Sequence, residues 1–197
     1  MTDVAAPADA PPPTAPPPTR HTARWVGLAV LVVVAGLIAV LASRPPAQVS
    51  EMQSPLLGKI SPPVRGVTVN GASIAFPPAS GKFVVVNFFA SWCTPCRDEG
   101  FDLVKFAFEH QRAGDVQMVS VVFDDSTSAA RSYQAMLGVT WPTLADVGGN
   151  LALSFGVRAP PSTFLVAPDG RVAAYIIAPV TAAELDTLIA KAKASGI

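Results

Sequence analysis

Cysteine and histidine are scarce in this 197-residue sequence, with two of each. So few leave no room for a disulfide-rich scaffold or a Cys/His-rich metal cluster. Charge is scarce too, at 14% of residues, and balances to zero, so no basic footprint points to nucleic acid. His21 lies in the N-terminal part, and His110 falls beside the polar stripe of a long helix and is expected to face solvent. No His follows His110, which argues against a copper-chaperone site, where two cysteines three residues apart would need a third ligand downstream. Neither a metal nor a bound cofactor is expected.

What the chain does have is concentrated. An apolar run, Phe83-Val-Val-Val-Asn-Phe-Phe89, leads into Trp92-Cys93-Thr94-Pro95-Cys96, which contains both cysteines. A Cys-x-x-Cys that opens a helix directly after a buried-type strand is the layout of a dithiol/disulfide redox pair. A purely structural bridge across three residues would close almost no loop and so constrain the unfolded chain very little. At the helix start, unpaired N–H groups and the helix dipole stabilise a thiolate, which makes Cys93 the expected attacking thiol. Cys96, one turn deeper, is the expected resolving thiol. Pro95 suits the first turn, where its missing N–H costs little.

The N-terminal part reads differently. Residues 1–24 begin with a Pro/Ala/Thr-rich stretch that cannot bury a core and reads as a disordered tail. Trp25 to Ser43 is uncharged over nineteen residues, about 28 Å as a helix, enough to cross a bilayer. Arg20 and Arg24 precede it and Arg44 alone follows closely, which favours a cytoplasmic tail and an exported domain. A signal peptide cleaved after Val40-Leu41-Ala42 is the competing reading; the length of the apolar core and of the segment before it favours an uncleaved anchor. Residues 44–55 then read as a linker, and 56–197 as one globular domain.

Within that domain, Asn70-Gly71 between two apolar runs predicts a hairpin. The strand over 83–89 is followed by a helix whose polar residues, Asp98, Asp102, Lys105, Glu109 and Arg112, form one solvent stripe. Phe101, Leu103, Val104, Phe106 and Phe108 are expected to fill its apolar arc. A strand over 116–123, a helix over 126–137, a short extended piece at 141–144 and a small helix near 150–155 follow. Pro168-Asp169-Gly170 predicts the turn of a second hairpin, and Thr181 with Glu184 a capping box for the last helix. The result is an α/β chain of three layers, α/β/α.

These residues resemble the TlpA/ResA/DsbE family of membrane-anchored, extracytoplasmic thioredoxin-like proteins. The resemblance is carried by Asn87-Phe-Phe-Ala-Ser-Trp-Cys-Thr-Pro-Cys-Arg-Asp-Glu99, by Gly156-Val157 with Pro161 further on, and by Ser162-Thr-Phe-Leu-Val166 running into Pro168-Asp-Gly170. It implies a thioredoxin-like fold with an N-terminal β-hairpin and a central insertion, preceded by one transmembrane helix. It also implies a redox-active Cys93–Cys96 disulfide, and Pro161 as the cis-proline that faces it. Glu99 matches a family acid near the active site. Its helical position beside Leu103 and Phe106 supports a buried carboxyl of raised pKa, while a first-turn Glu that merely favours the helix dipole is the alternative.

Two departures stand out. The residue before the cis-proline, which in this fold pairs with substrate backbone, is Pro160 and has no N–H to donate. Gly100-Phe101 stands where relatives often have a helix-kinking proline. Trp92, Thr94, Pro95 and Pro160 are the expected substrate-contacting residues, and Trp141 is expected in the core. The implied activity is protein-disulfide exchange, in the direction of reducing substrates such as the haem-binding thiols of apocytochrome c. Oxidation or isomerisation of exported proteins is the alternative, and a non-catalytic anchored binding module the remote one. A thiol peroxidase would carry Thr three residues before its reactive Cys, where this chain has Ala90. The expected partners are protein thiols and disulfides, a membrane electron donor or acceptor, and the bilayer through 25–43, with the chain a monomer.

Overall fold

A computed structural model describes residues 20–42, 54–77 and 79–196. The chain divides into two units, Met1–Pro46 and Ala47–Ile197. The first contributes one helix, α1, over Arg20–Ala42. It begins inside the stretch read from composition as tail, because Arg, His, Thr and Ala offer no break before the apolar run. Among the described residues no helix is long and apolar enough to cross a membrane. The rest of the Pro-rich tail and nearly all of the linker lie outside the described residues.

The second unit is built on a five-stranded mixed sheet. Its strands are β3 (Phe83–Phe89), β4 (Val116–Val122), β5 (Thr143–Leu144), β6 (Ser162–Val166) and β7 (Val172–Ile176), in the order β5-β4-β3-β6-β7. β3 pairs parallel with β4 and antiparallel with β6, so it lies at the centre. All seven of its residues are buried, which explains why its sequence runs apolar without alternation. A separate hairpin, β1 (Val64–Val67) and β2 (Ser73–Phe76), turns at Asn70-Gly71, where Gly71 adopts φ 87°. Thr68 bridges to Leu144 and so covers the β5 edge, while Leu57 and Ile60 bridge to the β7 side.

Alternate residues of β3 face opposite layers. Phe83 and Val85 pack with Leu103 and Phe106 of helix α2 (Thr94–Ala113) and with Leu185, Leu188 and Ile189 of helix α5 (Ala182–Ala194). Val84, Val86 and Phe88 face the hairpin and Phe155 of helix α4 (Asn150–Phe155). Phe88, Phe155 and Phe164 form a cluster of tilted and edge-on rings with centroids 4.9–6.0 Å apart. Each such ring, fully buried, contributes about 2–3 kcal/mol by leaving water. Helix α3 (Thr127–Leu137), capped by Ser126, packs beside Phe89 and the cysteines. The capping box at Thr181 and Glu184 forms as expected, with both hydrogen bonds present.

Two expectations are corrected here. Phe101 and Phe108 do not fill the core arc of α2 but are 74% and 71% exposed. The inward face is narrower, comprising Cys96, Glu99, Gly100, Leu103 and Phe106, and both phenylalanines fall outside it at helical spacing. His110 is not solvent-facing either. Its ring lies 4.3 Å from that of Phe106, and its two nitrogens each stand 2.9 Å from a carboxylate, Asp115 and Asp186. Trp141, as expected, packs against the core.

His110 thereby ties the end of α2 to α5. Burial opposes its charge, but the hydrogen bonds and charges of Asp115 and Asp186 outweigh that and raise its pKa. Asp115, hydrogen-bonded to His110 and 3.5 Å from Lys193, is held below the usual carboxylate range. A raised histidine pKa gives stability that is complete below about pH 6.5 and is lost as pH climbs through the folded value. Urea unfolding should therefore show His110→Gln less stable than the parent at pH 6, by the roughly 0.2–1 kcal/mol that a solvent-screened ion pair is worth, the gap narrowing by pH 9. A gap that does not change with pH would contradict this.

Candidate active site

The chain leaves the central strand at Phe89 and reaches Cys93, the N-cap of α2, in an extended conformation with φ −80° and ψ 109°. Cys93 Sγ accepts a hydrogen bond from Cys96 N at 3.2 Å, as a capping group does. The two cysteines form a disulfide, their Cα atoms 5.3 Å apart. No acidic residue occupies the first turn of α2, so nothing there offsets the pull of the helix N-terminus on a developing thiolate. Cys93 is 4% exposed and Cys96 2%, whereas Trp92, Thr94 and Pro95 around them are exposed. On the inner side Cys96 lines a cavity of about 10 Å³ with Asn87, Ser120, Tyr133 and Trp141, room for about one water.

The turn before Cys93 is held by residues that sequence reasoning missed. Ser91 N donates to Asp125 Oδ2 at 2.7 Å, and Trp92 Nε1 to the carbonyl of Asp124 at 3.0 Å. Arg97 Nε donates back to the Ser91 carbonyl at 2.9 Å. Asp124 sits at φ 45°, a left-handed conformation that Asp tolerates better than most residues. These partners lie more than thirty residues along the chain, in the β4–α3 loop, and local pattern could not have connected them. Asp125-Ser126 before a helical run is a cap signal, but it says nothing of the Trp92 turn.

Behind the disulfide lies Glu99, 2% exposed. One carboxylate oxygen accepts from Asn87 Nδ2 at 2.8 Å, the other from the Val180 amide at 3.0 Å. Asn87 also donates to Thr163 Oγ1 at 3.0 Å, so the acid, the central strand and β6 are linked in one buried polar chain. Burial raises the Glu99 pKa, the two hydrogen bonds lower it, and burial wins, placing it at about 7. Of the two readings of Glu99, the buried carboxyl is therefore the one found. As the residue three positions after Cys96 on the same helical face, it is placed to hold or accept a proton near the couple at neutral pH.

The peptide bond between Pro160 and Pro161 is cis, so the cis residue is Pro161. Ser162 pairs with Phe88, which puts Pro161 level with the end of β3 from which the Cys93 turn departs. Pro161 is buried and Pro160 half-buried. The structure thus brings Cys93, Cys96, Glu99 and the Pro160-Pro161 segment to one end of the sheet, with Trp92, Thr94 and Pro95 exposed around them. Among the described residues no cluster of three or more His, Cys, Asp or Glu could hold a metal ion.

A carboxyl that ionises near pH 7 when folded and near 4.5 when unfolded costs stability as pH rises through that window. The loss should approach about 3 kcal/mol above pH 8, because each pH unit of difference is worth about 1.4 kcal/mol. Glu99→Gln should therefore flatten the fall in urea-unfolding stability between pH 5 and 8. An unchanged slope in the variant would show that the carboxyl ionises in its ordinary range.

Comparison with known proteins agrees with this geometry. The model of the AhpC/TSA family matches residues 57–175. The thiol:disulfide interchange protein HelX of Rhodobacter capsulatus is 34% identical over 134 residues, which cover 66% of this chain and 73% of that protein. The thiol-disulfide oxidoreductase ResA of Bacillus subtilis is 30% identical over 112 residues, 57% of this chain and 62% of that one. In fold, a thioredoxin-family thiol:disulfide interchange protein from Chlorobium tepidum TLS superposes with a TM-score of 0.62 at 24% identity, over 72% of this chain and 99% of its own. With a disulfide at the N-terminus of α2 and an acid buried behind it, the chain belongs to the AhpC/TSA family, as a thioredoxin-like thiol-disulfide oxidoreductase of the TlpA/ResA/DsbE kind.

Proposed function

We propose that this oxidoreductase works as a reductase of protein disulfides outside the cytoplasm, tethered by residues 25–43 with its tail on the cytoplasmic side. The observation that carries the direction is Glu99. An ionised carboxylate buried near the couple disfavours negative charge on sulfur, which destabilises the dithiol form and makes it a better electron donor. The uncharged nineteen-residue run and the arginines before it support the tether.

In the forward reaction the Cys93 thiolate attacks a substrate disulfide and forms a mixed disulfide. Cys96 then attacks Cys93 Sγ, releasing the substrate thiol and restoring the Cys93–Cys96 bond. Glu99 takes or returns the proton that the thiols exchange. Exposed Trp92, Thr94 and Pro95 supply the docking face, and Pro160 offers substrate backbone a carbonyl but no N–H, so recognition leans on apolar contact. Similarity to thiol:disulfide interchange proteins supports protein thiols as substrates, and the haem-binding cysteines of an apocytochrome c fit that class. Each turnover leaves the protein oxidised, so a membrane donor must reduce it again.

One observation favours the opposite direction. The N-terminus of α2, with no acid in its first turn, stabilises the Cys93 thiolate, and a stabilised dithiol form makes an oxidant. The reduction potential of the full-length protein in detergent decides between them. A value near or below about −270 mV supports the reductase, with Glu99→Gln raising it by on the order of 30 mV. A value approaching about −120 mV makes the protein an oxidant of exported proteins. A reduced Cys93 inert to alkylation would leave only a binding role.

A further inference from the structure

The face of α2 opposite its solvent stripe has a gap at Gly100, and α3 fills it. A Cβ on Gly100 would stand 2.8 Å from the Tyr133 hydroxyl and 2.7 Å from Leu137 Cδ1, closer than real contacts allow. Any larger residue at position 100 would have to push the ends of Leu137 and Tyr133 aside. Tyr133 uses this space. It is 6% exposed, its ring packs 5.8 Å from that of Phe89, and its hydroxyl donates to the Cys96 carbonyl at 3.0 Å. That carbonyl lies in the first turn of α2, where a carbonyl already bound within the helix has a second lone pair to offer.

We propose that Tyr133 is a positioning residue for the resolving thiol, its hydroxyl fixing the Cys96 peptide while the disulfide is open. The inference rests on the disulfide-exchange reading above. In the oxidised protein the covalent bond to Cys93 holds Cys96 in place, so the Tyr133 hydrogen bond adds little. Once a mixed disulfide forms on Cys93, that covalent restraint is gone, and the Tyr133 hydrogen bond joins packing and the α2 backbone in keeping Cys96 aimed at Cys93 Sγ. In the resolving step the Cys96 thiolate attacks Cys93 Sγ and forms the Cys93–Cys96 bond. The bond from Cys93 to the substrate sulfur breaks, and the substrate leaves as a thiolate that takes up a proton. The two cysteines lose two electrons, and the disulfide first attacked by Cys93 gains them. The geometry of attack governs this step far more than the first, in which an exposed external disulfide can adapt to Cys93.

The test is stopped-flow reaction of the reduced full-length protein with dithiobis(nitrobenzoate), which separates the two steps in one trace. Attack by Cys93 releases one thionitrobenzoate, and resolution by Cys96 releases the second. Tyr133→Phe keeps the ring and deletes only the donor. It should leave the first phase within about twofold and slow the second by about five- to tenfold, the size expected for one buried hydrogen bond. A second phase as fast as the parent's, with only a lower melting temperature, would make the hydroxyl merely structural and overturn the proposal. Equal slowing of both phases would overturn it as well. If the parent itself releases no second thionitrobenzoate, the exchange reading fails before Tyr133 is in question.

Discussion

The hydrogen bond from Asn87 to Glu99 joins the two elements on which the rest of this domain depends. Asn87 lies on the central strand, buried among apolar neighbours, and Glu99 lies one turn beyond the disulfide on the helix that presents it. A buried carboxyl without partners would be expensive, and a buried amide likewise. Here each bonds the other, the second Glu99 oxygen accepts from the Val180 amide, and Asn87 also donates to the Thr163 hydroxyl. The bond therefore fixes the register of α2 on the sheet as well as its distance. The bond from the Val180 amide to Glu99 ties α2 to the chain entering α5, since Val180 directly precedes that helix's N-cap.

Two opposing electrostatic effects meet at the cysteines. The helix N-terminus draws negative charge toward Cys93, and the acid behind Cys96 opposes it whenever it is ionised. With its pKa at about 7, the carboxyl changes charge in the range where a thiol must gain and lose its proton. In the proposed cycle it serves both halves, accepting a proton as a thiolate forms and returning it as the disulfide opens. The packing around Cys96 leaves room for no more than about one water beside it.

Much of this was legible in the sequence, because its signals are local. A wholly apolar strand of seven residues, a Cys-x-x-Cys at a helix start, an Asn-Gly turn and a Thr-x-x-Glu cap each encode their geometry within a few residues. Glu99 could be placed inside by its spacing from Leu103 and Phe106. Phe101 and Phe108 were not legible as exposed, because helical spacing makes the buried face of α2 narrower than its run of apolar residues suggests. The placement of His110 was not legible because it depends on two carboxylates, one of them on α5. No local signal announces what Asp124, Asp125 and Tyr133 do at the site. Their roles consist of contacts across more than thirty residues, which exist only once β4 and α3 are in place.

The proposed chemistry depends on the ionisation of one side chain. The most direct measurement is a pH titration of the Glu99 carboxyl in the oxidised protein, followed by its carbon-13 shift and assigned with Glu99→Gln. The expected midpoint is about 7, well above that of the exposed glutamates in the same spectra. A midpoint near 4.5 would contradict it, leaving Glu99 permanently ionised at neutral pH and unable to exchange a proton with the thiols.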